Sequence, residues 1–565
     1  MKKRFKTLSR LAAFSLALGL IVPPFDAPAQ AAAQPARPAV VSEAASVPLA
    51  EPVPLRGFAE SIGAQVGWND TDKTATAVRG KTVVSATIGE SSLTVNGKPM
   101  ALDTPVRLDN EKTVVPLGAL NEAFGVRAGW DAQANAIAIA EDDYPLLASA
   151  FIAAWNGGDV AKARSYMNET LQSLMPEPLL LQYWANLTQT YGPLGPQLSI
   201  SASSNPVHHN AAALYKTEAG AFEMTVRFDT YGLVDDLFAS PAVSAAAAAY
   251  EKPAYDDPAT YSEKDVVIGQ GPFALPGTLT MPAGDGPFPA VVLVHGSGPN
   301  DRDESIGAVK PFRDIAVGLA AQGIAVLRYE KATREHPLKS QLGRESFTVR
   351  EETVDDAVRA IELLRHTDRI DPQRIYAAGH SQGGMLVPRI VDAAGPNGIA
   401  GAIVLAGPSR PLEDLLVEQL KFQLGLARKA GLPTEALERQ AALYEEQFKL
   451  IKDPQYSPAN PPQGFMLGNT AWWLDIRGLR AGEEAKRQNV PLLIVQGGND
   501  VQVFPDNLDG WKSSLSERND VQYKLYPKLN HTLVEFEGES TGAEYGVPAN
   551  VPDTLIADMA NWIKR

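Results

Sequence analysis

Ser381 stands in the run Gly379-His380-Ser381-Gln382-Gly383. A serine hydroxyl is a poor nucleophile at neutral pH. It needs a base within hydrogen-bond reach and an acid that orients the base. The Gly-x-Ser-x-Gly pattern suits a serine exposed on a sharp turn from strand to helix, where flanking side chains would clash. Arg374-Ile375-Tyr376-Ala377-Ala378 reads as the strand before it, and Gln382 to Ala394 as the helix after it. A serine on such a turn takes its partners in the chain order serine, acid, histidine. The chain has seven histidines, and His531 alone follows Ser381. The acid should end the strand that precedes it. Val490 to Gln496 predicts that strand and Gly497-Gly498-Asn499-Asp500 its loop, so Asp500 is the expected acid. Asp506 and Asp509 are the alternatives, but they fall in a helical stretch where a cap or a salt bridge accounts for them.

Attack on an acyl carbon creates an oxyanion that needs two N–H donors. Gln382, next to the serine, should give one through its main chain. The loop His295-Gly296-Ser297-Gly298-Pro299-Asn300 should give the other, from the Ser297 main chain, because its glycines let backbone approach closely. His295 reads as a residue that organises this loop, and His380 as one that packs or hydrogen-bonds beneath the turn. No metal and no cofactor is expected. The chain has no cysteine, which removes disulfides, thiolate ligands and a cysteine nucleophile together. His208-His209 reads as a surface pair on a loop, without a carboxylate at a ligand-like spacing.

The elements that must hold these groups follow a rhythm. From about residue 262, apolar strands alternate with helices, which implies a mostly parallel sheet covered on both faces. Between about 409 and 488 the strand rhythm stops, and a long, charged, helical insertion takes its place. It reads as a lid. Trp472 and Trp473 near its end are candidates to wall a substrate pocket, with plain core packing as the other reading.

A chain of 565 residues is too long for one core. With 45% hydrophobic residues most of it should fold, and a net charge of −15 without a basic stripe argues against a nucleic-acid partner. Met1-Lys2-Lys3-Arg4, the apolar run Leu11 to Val22 and Ala29-Gln30-Ala31 read as an export signal over 1–31. The apolar run is too short to span a bilayer comfortably, and no later segment is long and apolar enough to do so. Residues 32–54, rich in Ala, Pro and Val, read as a linker. A secreted or cell-envelope protein is expected.

Residues 55–142 carry an internal echo. Ile62-Gly63-Ala64-Gln65-Val66-Gly67-Trp68-Asn69 returns as Phe124-Gly125-Val126-Arg127-Ala128-Gly129-Trp130-Asp131, with an Asn96-Gly97 hairpin signal between them. This stretch resembles the small repeated module named after the N-terminal domain of copper amine oxidases. It has no His or Cys, so the name implies no copper here; the resemblance implies an exported protein of a Gram-positive type bacterium, with this stretch as a spacer or an envelope-association module whose expected partner is the cell wall. In residues 144–240 the run Phe151…Trp155-Asn156-Gly157-Gly158-Asp159, with Trp184 and Tyr191-Gly192-Pro193, is similar to NTF2-like cones of the DUF3887 type. Its aromatics at helical spacing also suit a plain packing core.

Five ordered blocks carry a further resemblance over 262–565. They are Gly-Ser-Gly-Pro-Asn-Asp-Arg-Asp-Glu, Arg328-Tyr329-Glu330-Lys331, Gly379-His380-Ser381-Gln382-Gly383-Gly384, Gln496 to Val503, and Leu529-Asn530-His531. Together they resemble bacterial α/β-hydrolases of the dienelactone-hydrolase and serine-aminopeptidase-like group, often acyl esterases. The resemblance implies an α/β-hydrolase fold, a triad of Ser381, Asp500 and His531, and a small-molecule ester as substrate. Dienelactone hydrolases proper use a cysteine nucleophile, which this chain lacks. A peptidase of the same fold is the alternative. It would need a recognition site for a peptide N-terminus such as a Glu pair, and Glu351-Glu352 and Glu445-Glu446 look solvated on helices. A second alternative is an envelope-binding protein with an idle hydrolase domain.

Overall fold

The computed structural model describes residues 50–565 except 63, 80, 133–134, 139–142, 219, 242–248 and 343–346. The expected export signal over 1–31 and most of the linker over 32–54 lie outside the described residues. The described chain falls into two compact units divided near residue 243.

In the N-terminal unit, the echo seen in the sequence is a structural one. Helix Leu55–Ser61 leads into strand Gln65–Asn69, and helix Leu117–Phe124 into strand Gly129–Asp131. The copies differ in burial: Trp130 is buried and Trp68 exposed. Strands Ser92–Val95 and Lys98–Ala101 form a hairpin in which Asn96 and Gly97 both take positive φ, the mirror-image turn that matches strand twist. Residues 143–241 form four helices followed by an antiparallel four-stranded sheet. Phe151, Trp155 and Tyr183 pack into one another there, as a core does. His208 does not sit on the surface as its sequence suggests. It is buried, with Nε2 2.6 Å from Asp235 Oδ2. A carboxylate 27 residues away, on strand Val234–Pro241, supplies a partner that local spacing could not reveal.

The C-terminal unit is built on strands β1 (Tyr261–Ile268), β2 (Leu275–Pro282), β3 (Phe288–Val294), β4 (Ala325–Tyr329), β5 (Ile370–His380), β6 (Gly401–Leu405), β7 (Leu492–Gly497) and β8 (Val521–Tyr526). Their order is β1-β2-β4-β3-β5-β6-β7-β8. β2 pairs antiparallel with both its neighbours, and every other pairing is parallel. The short link from β1 to β2 leaves room only for a hairpin, whereas the later strands are joined by crossovers long enough to carry helices. This is the α/β-hydrolase arrangement.

Apolar residues run unbroken along the central strands because both faces are covered. In β3, Val292 and Val294 face the core shared with helices Asp355–Arg365 and Gln382–Ala394. Val291 and Leu293 face the core shared with helices Pro311–Ala321 and Asp553–Ile563. Each such side chain contributes about 1.5–3 kcal/mol on burial. The rigid platform that results ends at the C-terminal edges of β3, β5, β7 and β8, where the chemistry-bearing loops emerge. The lid lies between β6 and β7 as helices Leu412–Lys429, Glu435–Lys452, Thr470–Ile476 and Ala481–Ala485. It shares its core with the sheet through Leu415, Leu424, Phe448 and Trp473. No helix among the described residues is long and apolar enough to cross a membrane.

Candidate active site

β5 ends at His380 and the helix begins at Gln382, so Ser381 makes the whole turn. Its φ is 52° and ψ −120°, a backbone conformation that side chains resist. Holding a residue there costs about 1–3 kcal/mol and needs overdetermined surroundings. They are present: Ser381 N–H donates to Leu405 O on β6 at 2.9 Å, and the glycines admit close backbone. A Cβ on Gly383 would collide with the carbonyl oxygens of Val294 and His295, and one on Gly296 would lie 3.0 Å from Ser381 Cβ. The turn and the loop after β3 can touch only because both positions are glycine.

The side chains of Ser381, His531 and Asp500 form one hydrogen-bonded line. His531 Nε2 lies 3.1 Å from Ser381 Oγ, and His531 Nδ1 lies 2.9 Å from Asp500 Oδ2. A carboxylate only accepts, so the proton of the neutral ring sits on Nδ1 and leaves Nε2 free to accept from the hydroxyl. Asp500 Oδ1 accepts from the main-chain N–H of Gln502 at 2.8 Å and of Val503 at 2.9 Å. The loops carrying Asp500 and His531 are bound together: Asn499 N–H donates to Leu529 O, and its side chain donates to Phe536 O and Gly538 O. The alternatives Asp506 and Asp509 lie apart from this line. Asp506 pairs with Arg410 at 2.6 Å and Asp509 with Lys512 at 3.2 Å.

The two expected N–H donors are available. Gln382 is the first residue of its helix, so its N–H has no intrahelical acceptor. Among the described residues, neither its main-chain N–H nor that of Ser297 has a hydrogen-bond partner.

Beneath this line lies a buried network that the sequence reading saw only in part. His380 Nε2 donates to the His531 carbonyl at 2.8 Å. Its Nδ1 sits 2.9 Å from Glu304 Oε2, as an ion pair out of line for a hydrogen bond. Both ring nitrogens therefore face acceptors, which favours imidazolium. Burial opposes charge on both partners, yet their attraction outweighs it, raising the His380 pKa and lowering that of Glu304. Glu304 Oε1 also accepts the Gly296 N–H at 2.6 Å. The pair thus ties the loop after β3 to the loop that carries His531. His295 has the opposite fate. Burial, against the pull of Glu304, pushes its pKa down to about 4, and its ring bonds to Asp301 O within its own loop.

Glu352 corrects an expectation. The Glu351-Glu352 pair does not lie solvated as a unit: Glu352 is 7% exposed. A π-helical turn over Arg350–Val354 carries it and precedes the regular helix. Glu352 pairs with Lys331, itself buried, at 3.2 Å. It also accepts from Trp472 Nε1 at 2.7 Å. Trp472 remains half-buried, whereas Trp473 takes the packing role, with Nε1 donating to Leu467 O and its ring against Phe448.

A serine on a strand–helix elbow within this sheet order defines the α/β-hydrolase class. Two family descriptions match the chain: "Copper amine oxidase N-terminal domain" over residues 51–139 and "Serine aminopeptidase, S33" over residues 286–539. Esterase EstD of Thermotoga maritima is 37% identical over 353 residues, covering 62% of this chain and 78% of that protein. The chain therefore belongs to this family of α/β-hydrolase esterases. Among solved structures, an esterase of Pyrococcus furiosus matches with a TM-score of 0.35 and 15% identity, over 54% of this chain and 91% of that one. Est1E from Butyrivibrio proteoclasticus matches with a TM-score of 0.34 and 15% identity, over 53% and 99%.

Proposed function

We propose that the chain hydrolyses carboxylic esters through an acyl-enzyme, with Ser381 as nucleophile, His531 as base and Asp500 as the acid that orients it. The observation that carries this reading is the unbroken line from Ser381 Oγ through both nitrogens of His531 to Asp500. As Ser381 Oγ attacks the ester carbonyl, its proton passes to His531 Nε2. The N–H groups of Gln382 and Ser297 receive the oxyanion. The carbonyl re-forms, the alcohol leaves with the proton from His531, and the acyl group stays on Ser381. Water then repeats the sequence, giving its proton to His531 and releasing the acid.

The aminopeptidase name of one matching family keeps a second reading in play. A peptide N-terminus needs a free carboxylate near the serine. Glu304 and Glu352 are the buried ones close to the site, and both are already engaged, the first by His380 and Gly296, the second by Lys331 and Trp472. Ester hydrolysis is therefore favoured. Short p-nitrophenyl acyl esters should turn over at least about 100-fold faster, by kcat/KM, than aminoacyl anilides of similar size, and a fluorophosphonate should label the protein stoichiometrically. Preferential anilide cleavage would favour the peptidase, and failure to label would remove the serine mechanism.

The N-terminal pattern supports export and the first module an association with the envelope, while residues 144–240 are read as an NTF2-like cone. Produced in a Gram-positive host, the mature chain should begin near residue 32 and co-sediment with purified cell wall. A cell-associated chain that still begins at Met1 would sink the export reading, and a chain that stays in the supernatant would sink the envelope reading.

A further inference from the structure

A trans peptide points its C=O and its N–H in opposite directions. The Gly296–Ser297 peptide lies against the serine turn, and its carbonyl is gripped from one side. Lys331 Nζ donates to Gly296 O at 2.7 Å, and Asn300 Nδ2 donates to the same oxygen at 3.1 Å. The N–H of Ser297 belongs to that same peptide, so it points away from Lys331. The ammonium on the carbonyl also polarises the peptide and makes its N–H a stronger donor.

Lys331 is 2% exposed, and a buried cation needs a partner. That partner is Glu352, at 3.2 Å. The other oxygen of Glu352 accepts from Trp472 Nε1 in the lid at 2.7 Å and, more weakly, from the side-chain amide of Gln382 at 3.3 Å. One ion pair thus touches the loop that offers the first N–H, the residue that offers the second, and the lid. A purely structural site could hold apolar side chains of the same volume at similar or lower cost.

We propose that Lys331 and Glu352 are positioning residues that aim and polarise the oxyanion donors, Lys331 by fixing the Gly296–Ser297 peptide and Glu352 by anchoring Lys331. The inference rests on the ester-hydrolase reading of Ser381. It is tested on the full chain with p-nitrophenyl acetate and with a boronic acid, which forms a tetrahedral anion on a nucleophilic serine oxygen. Lys331→Met/Glu352→Gln removes both charges together and so avoids a stranded buried carboxylate. It should lower kcat by about 100-fold with KM within about threefold, and weaken boronate inhibition by a similar factor. Glu352→Gln alone keeps an acceptor for Trp472 and should cost about tenfold in kcat. Lys331→Arg, which restores the charge, should recover part of the loss.

A folded double variant with unchanged kcat and boronate affinity would overturn the proposal. So would a loss confined to KM, or to kcat with boronate binding intact. If the double variant fails to fold, Glu352→Gln decides in the same way. Ser381→Ala, measured alongside, separates the two readings. If it retains activity, the assignment of the serine falls. If it is inactive while the Lys331 and Glu352 variants behave as wild type, only the positioning role falls.

Discussion

Ser381→Ala is expected to lower kcat/KM for short acyl esters by about a millionfold, some 8 kcal/mol of transition-state stabilisation, and to abolish fluorophosphonate labelling. The loss should be this large because every later step needs the covalent bond to Ser381 Oγ. The fold should survive. Among the described residues the hydroxyl hydrogen-bonds to His531, and the Cβ that packs near Gly296 is retained. The melting temperature should therefore stay within a few degrees of wild type. Activity above about one part in a hundred, in protein free of wild-type contamination, would mean that another group attacks the ester.

Asp500→Asn should lower kcat by about 10⁴-fold with little change in KM, and the geometry gives the reason. Oδ1 accepts two main-chain N–H bonds, from Gln502 and Val503. In asparagine only the carbonyl oxygen can occupy that position, because an NH₂ there would face two donors. The NH₂ is then forced to the place of Oδ2, facing His531 Nδ1. A donor there requires Nδ1 to accept, so the ring proton moves to Nε2. An imidazole protonated at Nε2 cannot take the proton of Ser381 Oγ. Asp506→Asn and Asp509→Asn should stay within about twofold of wild type, since both carboxylates serve ion pairs away from the line. An inactive Asp506 or Asp509 variant beside an active Asp500 variant would reassign the acid.

These two predictions rest on residues that could be found without coordinates. The elbow is local: five consecutive residues carry it, with a strand before and a helix after, and Gln382–Ala394 is helical over the span expected. His531 followed from order alone, and Asp500 from standing at the end of its strand. The lid also showed itself, because a helical stretch of roughly eighty residues interrupts a strand–helix rhythm. The β1–β2 hairpin was less visible. A lone antiparallel reversal at a sheet edge leaves no periodicity that distinguishes it from a parallel strand.

Glu304, Lys331 and Glu352 show where such reading stops. Glu304 and Lys331 stood inside recognised blocks, yet nothing in those blocks says that one meets His380 and the other Gly296. Glu352 looked like half of a solvated pair, yet it is buried against Lys331 and Trp472, partners remote in sequence that pattern reading does not bring to it. Trp472 and Trp473, adjacent in sequence, part company because one indole reaches Glu352 and the other turns into the lid core.

The sequence by itself determined the groups that follow from short-range sterics and chain order: a serine on a glycine-flanked turn, the one histidine after it, and an acid at the end of a strand. Only the tertiary structure decided which buried charges face one another and which peptide carbonyl Lys331 holds. The physical reason is one of range. A turn is set by neighbouring residues, whereas a buried ion needs a partner wherever the fold brings one, and here Lys331 and Glu352 approach from separate elements to within 3.2 Å.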